Sequence, residues 1–368
     1  MDRFSKWHLF FIVLFIGIIF SSIGYYLYKT ESVEIRKEKY TYLDAIANLK
    51  VDQLTKWKTE RLSEAKFFPT MGKFIKSTIT LSSDINNKES KDFLTQTLLP
   101  IKERHLYQNL FVTDLNGKIL FTLDPDVDKI DSITFINLKQ AVTKDSIIFM
   151  DFYQCNTHHA IHLDILSPIK DNNNNAIGVF ILRFDPNVYL YPLIQKWPTP
   201  SKTAESLIFR NEGKQIRLLS KAKHVQTSAM DIIIPVENKE YVAVQGAHGQ
   251  TGIMEGLDYR GVQVLAAIHK VPTTNWYLVS KVDTDEIFNE LVYRGRSIVL
   301  LTMFSFLLVA AMASFLYKRR QSAVYKNFIS SSSFNVGTFA HIASTELVPF
   351  LRSISPARLR IEISGDPI

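Results

Sequence analysis

Two long runs of apolar residues stand out from the pattern of hydrophobic and polar positions along the chain. Residues 9–28 and 297–317 form runs of 20 and 21 residues, and neither run contains a charged residue. A helix of this length crosses a hydrocarbon core of about 30 Å. The first run is long for the apolar part of a cleaved signal peptide, and no A-x-A-like site follows it. The sequence therefore predicts two transmembrane helices.

The charges that flank the two runs predict the orientation of the chain. Two spans place both termini on one side, and Lys and Arg residues near the spans are evenly divided between the sides. The compact run Lys318, Arg319 and Arg320 directly after the second span favours termini inside the cell. We therefore expect residues 1–8 and 318–368 to be cytoplasmic and residues 29–295 to lie outside the cytoplasm.

The first part of this loop has a helical pattern. Residues 30–66 contain neither Pro nor Gly, and Pro69 and Gly72 mark the end of the predicted helix. An apolar stripe along this helix packs against the rest of its own chain, against a second copy in a dimer, or against each at a different height, and these alternatives stay open. The apolar residues of the stripe are Leu43, Ile46, Ala47, Val51, Leu54, Trp57 and Leu62.

Beyond residue 107 the pattern changes to short runs that are typical of β-strands. Turn signals separate them, for example at residues 114–117 and in the Asn-rich stretch 171–175. The first set of predicted strands covers residues 109–113, 118–123, 147–152, 160–167 and 177–184. The second set covers residues 204–209, 215–219, 242–245, 252–257, 262–268 and 276–282. Each set predicts an antiparallel sheet with few helices, and the two sets are candidates for structural repeats.

Composition and charge exclude several classes of protein. The 368 residues are 46% hydrophobic and 21% charged, which excludes a mostly disordered chain. A single cysteine, Cys155, excludes a disulfide framework and any multi-cysteine metal site within one chain. The net charge of +7 comes from Lys and Arg residues interleaved with acidic ones, so we expect no nucleic-acid partner.

Candidate ligand-binding residues cluster in the first set of strands. A small polar ligand needs a few convergent polar groups in a mostly apolar concavity. Arg183 lies on a strand among apolar residues, where it would bind a carboxylate or pair with Asp185 or Asp151. Asp151 shares a strand face with Tyr153 and would hold an amine or cap a turn. The predicted ligand-binding residues are Asp151, Tyr153, His162, Arg183 and Asp185.

Three histidines raise the question of a metal site. His158, His159 and His162 lie within five residues, but on a strand only His158 and His162 share a face. No paired carboxylates accompany them, and the spacing is not that of a helical His-Glu-x-x-His motif. We therefore expect these histidines to lie at the surface or to line a pocket, and we expect no metal and no cofactor.

Several fragments of the loop resemble bacterial double Cache sensor domains. They are IGVFILRFDPNVYLYP at residues 177–192, PLIQKWPTPSKTAE at 192–205, and residues 252–286, in the order of that family between two apolar spans. The resemblance implies an α+β fold with a long N-terminal helix and two tandem PAS-like antiparallel sheets, flanked by two transmembrane helices. It places a distal module at about residues 80–195 and a proximal module at about 200–285. It also implies a small-molecule ligand, usually in the distal module, and a bacterial inner membrane.

The C-terminal segment carries a second resemblance. Residues 339–355, FAHIASTELVPFLRSIS, resemble the phosphoacceptor helix of sensor histidine kinases. Thr345 occupies the position of that family's phosphoacceptor His, with Glu346 as the acidic neighbour. A Thr hydroxyl lacks the imidazole nucleophile, and 51 residues after the second span are too few for an ATP-binding domain. We therefore expect no catalytic residue and no kinase activity of the chain alone.

These observations favour a membrane receptor that senses a small extracytoplasmic ligand and passes a conformational signal across the bilayer. The expected partners are the lipid bilayer and either a second copy of the chain or a full-length kinase in a mixed dimer. Two alternatives stay open. One is a histidine kinase that is phosphorylated in trans at His341, and the other is a membrane-anchored exported binding protein.

Overall fold

The computed structural model describes residues 6–127, 129–155 and 159–342. The chain divides into two compact units. One contains both ends of the chain, up to Glu31 and from Tyr293 onwards, and the other is Ser32–Val292. Helix α1 (Lys6–Phe67) and helix α7 (Thr284–Ile342) begin or end in one unit and continue into the other. Thr345 and Glu346, which were singled out in the kinase-like segment, lie outside the described residues.

The first of these units contains both predicted apolar spans, and both spans are helical. Within the spans large side chains are exposed, for example Phe15 at 64% and Leu301 at 67%. Both helices are long and apolar enough to cross a membrane. The two helices come close at Gly24, where a Cβ atom would lie 3.3 Å from Thr302. Small residues allow such close approach between apolar helices.

The other unit begins within α1, and after it four helices and a five-stranded sheet make up the part of the chain called the distal module. A 3-10 turn at Phe68–Thr70 ends α1, as Pro69 predicts. All strands of the sheet are antiparallel, in the order β2-β1-β5-β4-β3. The helices of this module are α2 (Gly72–Ser83), α3 (Lys88–His105), α4 (Ser132–Thr143) and α5 (Leu190–Gln195). Its strands are β1 (Asn109–Thr113), β2 (Ile119–Thr122), β3 (Ile148–Gln154), β4 (Ile161–Lys170) and β5 (Ala176–Phe184).

A six-stranded antiparallel sheet forms the proximal module. Its order is β8-β7-β6-β11-β10-β9, so five of its strands repeat the order of the distal sheet. The strands are β6 (Glu205–Asn211), β7 (Gln215–Leu218), β8 (Ile233–Pro235), β9 (Gly252–Leu257), β10 (Gln263–Lys270) and β11 (Trp276–Asp283), and one short helix, α6 (Val242–Ala247), packs on the sheet. The predicted α+β fold of two tandem antiparallel sheets after a long N-terminal helix is confirmed.

The predicted strand at residues 242–245 is wrong, because this segment lies in helix α6. Val242, Ala243 and Val244 are all buried. A short run that is apolar on every side does not distinguish a buried strand from a buried helix. Helices α2–α5 and strand β8 were not predicted individually, since their apolar residues are too few or too irregular to stand out.

The apolar stripe of α1 packs against its own chain. Leu43, Ala47 and Leu54 are at most 2% exposed and belong to one core with residues of both sheets. Trp57 makes an edge contact with Phe184 of β5, with ring centroids 5.2 Å apart. Of the two alternatives for this stripe, intramolecular packing is therefore the one observed.

Candidate functional site

Arg183 lies at the centre of a buried polar cluster in the distal module. Asp164 on the neighbouring strand accepts from Arg183 Nε at 3.0 Å and from Nη2 at 2.8 Å. Nη2 also donates to the Tyr153 hydroxyl at 3.0 Å and to Thr134 Oγ1 at 3.2 Å. Asp131 lies 3.5 Å from the same nitrogen and caps helix α4. These five residues form a closed network.

The electrostatics of this cluster show that its charges are already satisfied. Burial opposes the charged form of Arg183. The negative charge of Asp164 and its hydrogen bonds outweigh this effect and raise the pKa of the guanidinium. Burial and the charge of Asp164 raise the pKa of the Tyr153 phenol, so it stays protonated and donates to Asp164 at 2.7 Å. A ligand carboxylate that binds Nε or Nη2 of Arg183 would therefore compete with Asp164.

The partner of Arg183 was missed by the sequence analysis, which considered Asp185 and Asp151. Asp164 is completely buried and lies directly opposite Arg183 in the β4–β5 register. The run IHLDILSPI carries a carboxylate among apolar residues, which is a signal for a buried ion pair. Without the strand register, however, the sequence does not tell which basic residue faces it.

Asp151 is not part of the cluster, although it was predicted to share a face with Tyr153. The β3–β4 register shifts between Met150 and Tyr153, and this irregularity places the two side chains against different partners. Asp151 accepts from Trp276 Nε1 at 2.6 Å and pairs with Arg210 at 2.9 Å. It therefore joins the distal module to the proximal one.

His162 differs from the cluster beside it because one of its ring nitrogens, Nδ1, has no hydrogen-bond partner among the described residues. The residue is 4% exposed, and its Nδ1 atom is buried without a hydrogen-bond partner in the described chain. Burial lowers the pKa of the imidazole, and the positive charge of Arg183 lowers it further. The ring is therefore neutral at pH 7, with one nitrogen that no group in the described part of the chain satisfies.

A polar cavity of about 300 Å³ lies between the two modules, and His162 is in its wall. Asp185 lines the same cavity. Its Oδ1 atom accepts from the backbone and side-chain nitrogens of Asn187, both at 2.8 Å. The distal module contributes Gln108, Gln154, His159, Ala160, Ile161, His162, Asp185, Asn187 and Tyr191. The proximal module contributes Lys221, Thr227, Ser228 and Ala229.

The structure therefore brings two of the five predicted residues, His162 and Asp185, into one cavity. Arg183 and Tyr153 form the closed cluster behind His162, whose ring centroid is 5.9 Å from that of Tyr153. The proximal wall at residues 221–229 was missed, because nothing in the sequence of a loop indicates which module it faces. Two other side chains, Arg61 and His224, also have a buried nitrogen without a partner, but neither lines this cavity.

Within the described residues, no group of three His, Cys, Asp or Glu side chains is placed to hold a metal ion. His159 lines the cavity, and its backbone has a positive φ of 52°. His158, the third histidine considered at the sequence level, lies outside the described residues.

The proximal module contains its own buried ionic cluster. Lys281 is 1% exposed and lies 2.7 Å from Asp258 and 3.1 Å from Glu205. The Tyr259 hydroxyl donates to Glu205 at 2.9 Å, and Arg260 donates to Asp258 at 2.7 Å. The cavity beside these groups measures only about 20 Å³, so it has no room for a ligand.

Comparisons with known proteins bear on this architecture. The family model of the Cache domain, in its double form, matches residues 21–291. A search of curated proteins finds no match. The extracellular domain of soHK1S-Z6, described as a histidine kinase, is 13% identical with a TM-score of 0.50, over 71% of this chain and 99% of that chain. At this identity the likeness concerns the fold alone.

Two chemoreceptor domains are also similar. The sensory domain of Campylobacter jejuni Tlp3 with isoleucine bound is 14% identical, with a TM-score of 0.49, over 69% of this chain and 96% of that one. The ligand-binding domain of the Pseudomonas aeruginosa amino acid chemoreceptor PctB with L-Arg is 15% identical, with a TM-score of 0.44, over 68% and 97%.

Proposed function

The chain belongs to the double Cache family of sensor domains, and from that membership we propose that it is a two-pass receptor of the bacterial inner membrane. Its Cache region, residues 29–295, lies outside the cytoplasm and binds a small ligand. Residues 9–28 and 297–317 cross the bilayer, and residues 1–8 and 318–368 are cytoplasmic. The Lys318-Arg319-Arg320 run supports this orientation.

The observation that carries the proposal is that His162 lines the polar cavity, while its buried Nδ1 atom has no hydrogen-bond partner among the described residues. A buried polar atom without a partner costs about 1–3 kcal/mol. A polar ligand that turns the imidazole so that Nδ1 gains a hydrogen bond recovers this free energy, which would favour the binding of polar molecules in the cavity. The Asp185 carboxylate in the same wall favours a ligand that also donates hydrogen bonds.

The remaining predicted residues have supporting roles in this proposal. Arg183 and Tyr153 are hydrogen-bonded to Asp164 of β4 behind His162. Burial and, after it, the charge of Arg183 keep the imidazole neutral. Asp151 fixes β3 to Arg210 and Trp276 of the proximal module. These contacts set the spacing between the two cavity walls. The ligand contacts themselves come from His162 and Asp185.

Ligand binding shifts the equilibrium between two conformations of the Cache region, and the shift reaches the cytoplasm through α7. The output then comes from a partner, either a second copy of the chain or a full-length sensor kinase in a mixed dimer. The similarity of residues 339–355 to a phosphoacceptor helix supports the kinase as partner.

Thermal unfolding of the full chain in detergent, screened against carboxylates, amines, amino acids and purines, tests the proposal. A ligand that binds only the folded state raises the melting temperature by mass action. We expect at least one compound to do so in the wild type and not in His162→Leu. Asp92→Asn, an exposed position on α3, serves as the control and should keep the shift. A shift that survives His162→Leu would contradict the assignment of the site.

A further inference from the structure

We propose that Glu286, in the first turn of α7, is the positioning residue that couples the cavity to this helix through the segment between the two modules. This segment, residues 196–203, is the connector. The inference rests on the proposed function, because it takes the state of the cavity as the signal. It names the residue through which that signal leaves the Cache region.

The Glu286 carboxylate holds three successive residues at the end of the connector. Its Oε1 atom accepts from Ser201 Oγ at 2.7 Å and from the backbone nitrogen of Lys202 at 3.3 Å. Its Oε2 atom accepts from the backbone nitrogen of Thr203 at 2.9 Å and from the Thr203 hydroxyl. Burial opposes ionisation, but these hydrogen bonds lower the pKa of Glu286, so the carboxylate is charged at pH 7.

The start of the connector is fixed to α1. Lys50 is 3% exposed, and its Nζ atom donates to the carbonyl oxygens of Lys196 at 2.8 Å, of Leu193 at 3.4 Å and of Ile194. Further along, the hydroxyls of Tyr42 and Thr199 are 2.7 Å apart. The connector is therefore attached to α1 at two points and to α7 at its end.

Helix α5 joins the cavity to the start of the connector. Tyr191 lines the cavity, and its hydroxyl donates to the Leu219 carbonyl of the proximal module at 2.7 Å. Gln195, the last residue of α5, donates to the Lys221 carbonyl at 2.7 Å. Lys221 lines the opposite wall of the cavity. A change in the spacing of the cavity walls must therefore displace α5 or break these hydrogen bonds.

The connector is suited to transmit such a displacement. Pro198 and Pro200 fix the backbone φ angle at two of its positions, which limits how far the segment can bend. At its end, Glu286 belongs to a helix that continues without interruption to Ile342. Among the described side chains of α7, the Glu286 carboxylate is the one to which Ser201, Lys202 and Thr203 donate hydrogen bonds.

Hydrogen–deuterium exchange on the full chain in lipid nanodiscs tests the coupling without any ligand. The variant Ala229→Phe places a large side chain in the cavity wall, where Ala229 is 8% exposed, and so mimics an occupied cavity. We expect it to change exchange of the backbone amides at residues 287–292 by about threefold or more. In the Glu286→Ala background, Ala229→Phe should leave the exchange of these amides unchanged.

Two matched variants separate coupling from simple damage to the helix. Asp285→Ala changes the neighbouring exposed carboxylate and should leave the response to cavity filling intact. Glu286→Gln keeps one acceptor oxygen, so it should restore part of the response that Glu286→Ala removes. If Ala229→Phe fails to fold, Ala160→Phe fills the same cavity from the distal wall.

Equal responses to cavity filling with and without Glu286, or no response in the wild-type background, would overturn the proposal. Because the filling side chain belongs to the protein, the outcome does not depend on finding a ligand. Coupling through Glu286 together with an empty ligand screen would count against the proposed ligand site alone. A ligand that binds at His162 without coupling through Glu286 would count against this inference alone.

Discussion

The two modules of the Cache region share a sheet order and a buried basic residue at the same place. Arg183 of β5 lies opposite Asn109, the first residue of β1, and Lys281 of β11 lies opposite Glu205, the first residue of β6. Both basic side chains are buried and paired with carboxylates. The repeat that the sequence suggested only weakly therefore extends to the position of the buried charge.

The modules differ in what lies next to the buried charge. In the distal module, His162 leaves a buried nitrogen unpaired beside a cavity of about 300 Å³. In the proximal module, Tyr259 and Arg260 complete the network, and the neighbouring cavity measures about 20 Å³. A cluster of charges is therefore a poor guide to a ligand site, because both clusters satisfy themselves. We propose that the unsatisfied group and the space beside it mark the ligand site instead.

The largest effect is expected from breaking the distal ion pair. Asp164→Ala leaves Arg183 buried without its main partner, and losing one side of a buried pair typically costs about 3–5 kcal/mol. Denaturant unfolding of the full chain, followed by tryptophan fluorescence, measures this loss of stability. Asp92→Asn, at an exposed position, should change stability little. A cost for Asp164→Ala below that of an ordinary surface substitution would contradict the closed cluster.

The matching change in the proximal module should cost less. Lys281→Ala removes the cation, but Asp258 keeps Arg260, and Glu205 keeps the Tyr259 hydroxyl. We therefore expect a loss of about 1–3 kcal/mol, the range for a partly satisfied buried group. The same unfolding measurement applies. A loss larger than that for Asp164→Ala would show that the proximal charges depend on a single partner, as the distal ones do.

His162→Leu should separate the open site from the closed clusters. It removes a polar atom that no protein group satisfies, so the free energy of unfolding should stay the same or rise. His269→Leu is the matched control, because His269 Nε2 lies 2.7 Å from Asp44, and its loss should cost about 1 kcal/mol. A loss of stability in His162→Leu equal to that in His269→Leu would mean that the imidazole has a partner within the protein.

The smallest effect concerns the pH dependence at the contact between the modules. Burial would raise the pKa of Glu212, but hydrogen bonds from Gln215, Arg210 and Arg217 lower it from 4.5 to about 2. This carboxylate therefore contributes stability above pH 4.5 that is lost as the pH falls towards 2.

Glu212→Gln should make the fall in stability between these two pH values shallower. Unfolding at a series of pH values measures the slope, and Glu237→Gln, at an exposed position, should leave it unchanged. Since the Glu212 side chain is 22% exposed, solvent screening keeps the difference small. Identical slopes for the two variants would contradict the assigned pKa.

The sequence predicted the fold more completely than the site. Runs of alternating apolar and polar residues, bounded by turn signals, located most strands. They could do so because the two-residue period of a strand decides which of its faces is buried. The partner of Arg183, the β3 irregularity that separates Asp151 from Tyr153, and the proximal wall of the cavity all depend on how distant segments come together. His162 was predicted from the sequence as a ligand-binding residue, within a group of histidines expected at the surface or in the wall of a pocket. That its Nδ1 atom has no partner is a property of the packed structure.

The most direct test of the central claim is a structure of the chain with the first compound that raises its melting temperature. We predict that the compound lies between the two modules, with a polar atom within hydrogen-bond distance of His162 Nδ1 and with Asp185 in contact. The Arg183–Asp164 pair should be unchanged. A compound found on the sheet face beneath α4, with Asp164 displaced from Arg183, would contradict the account.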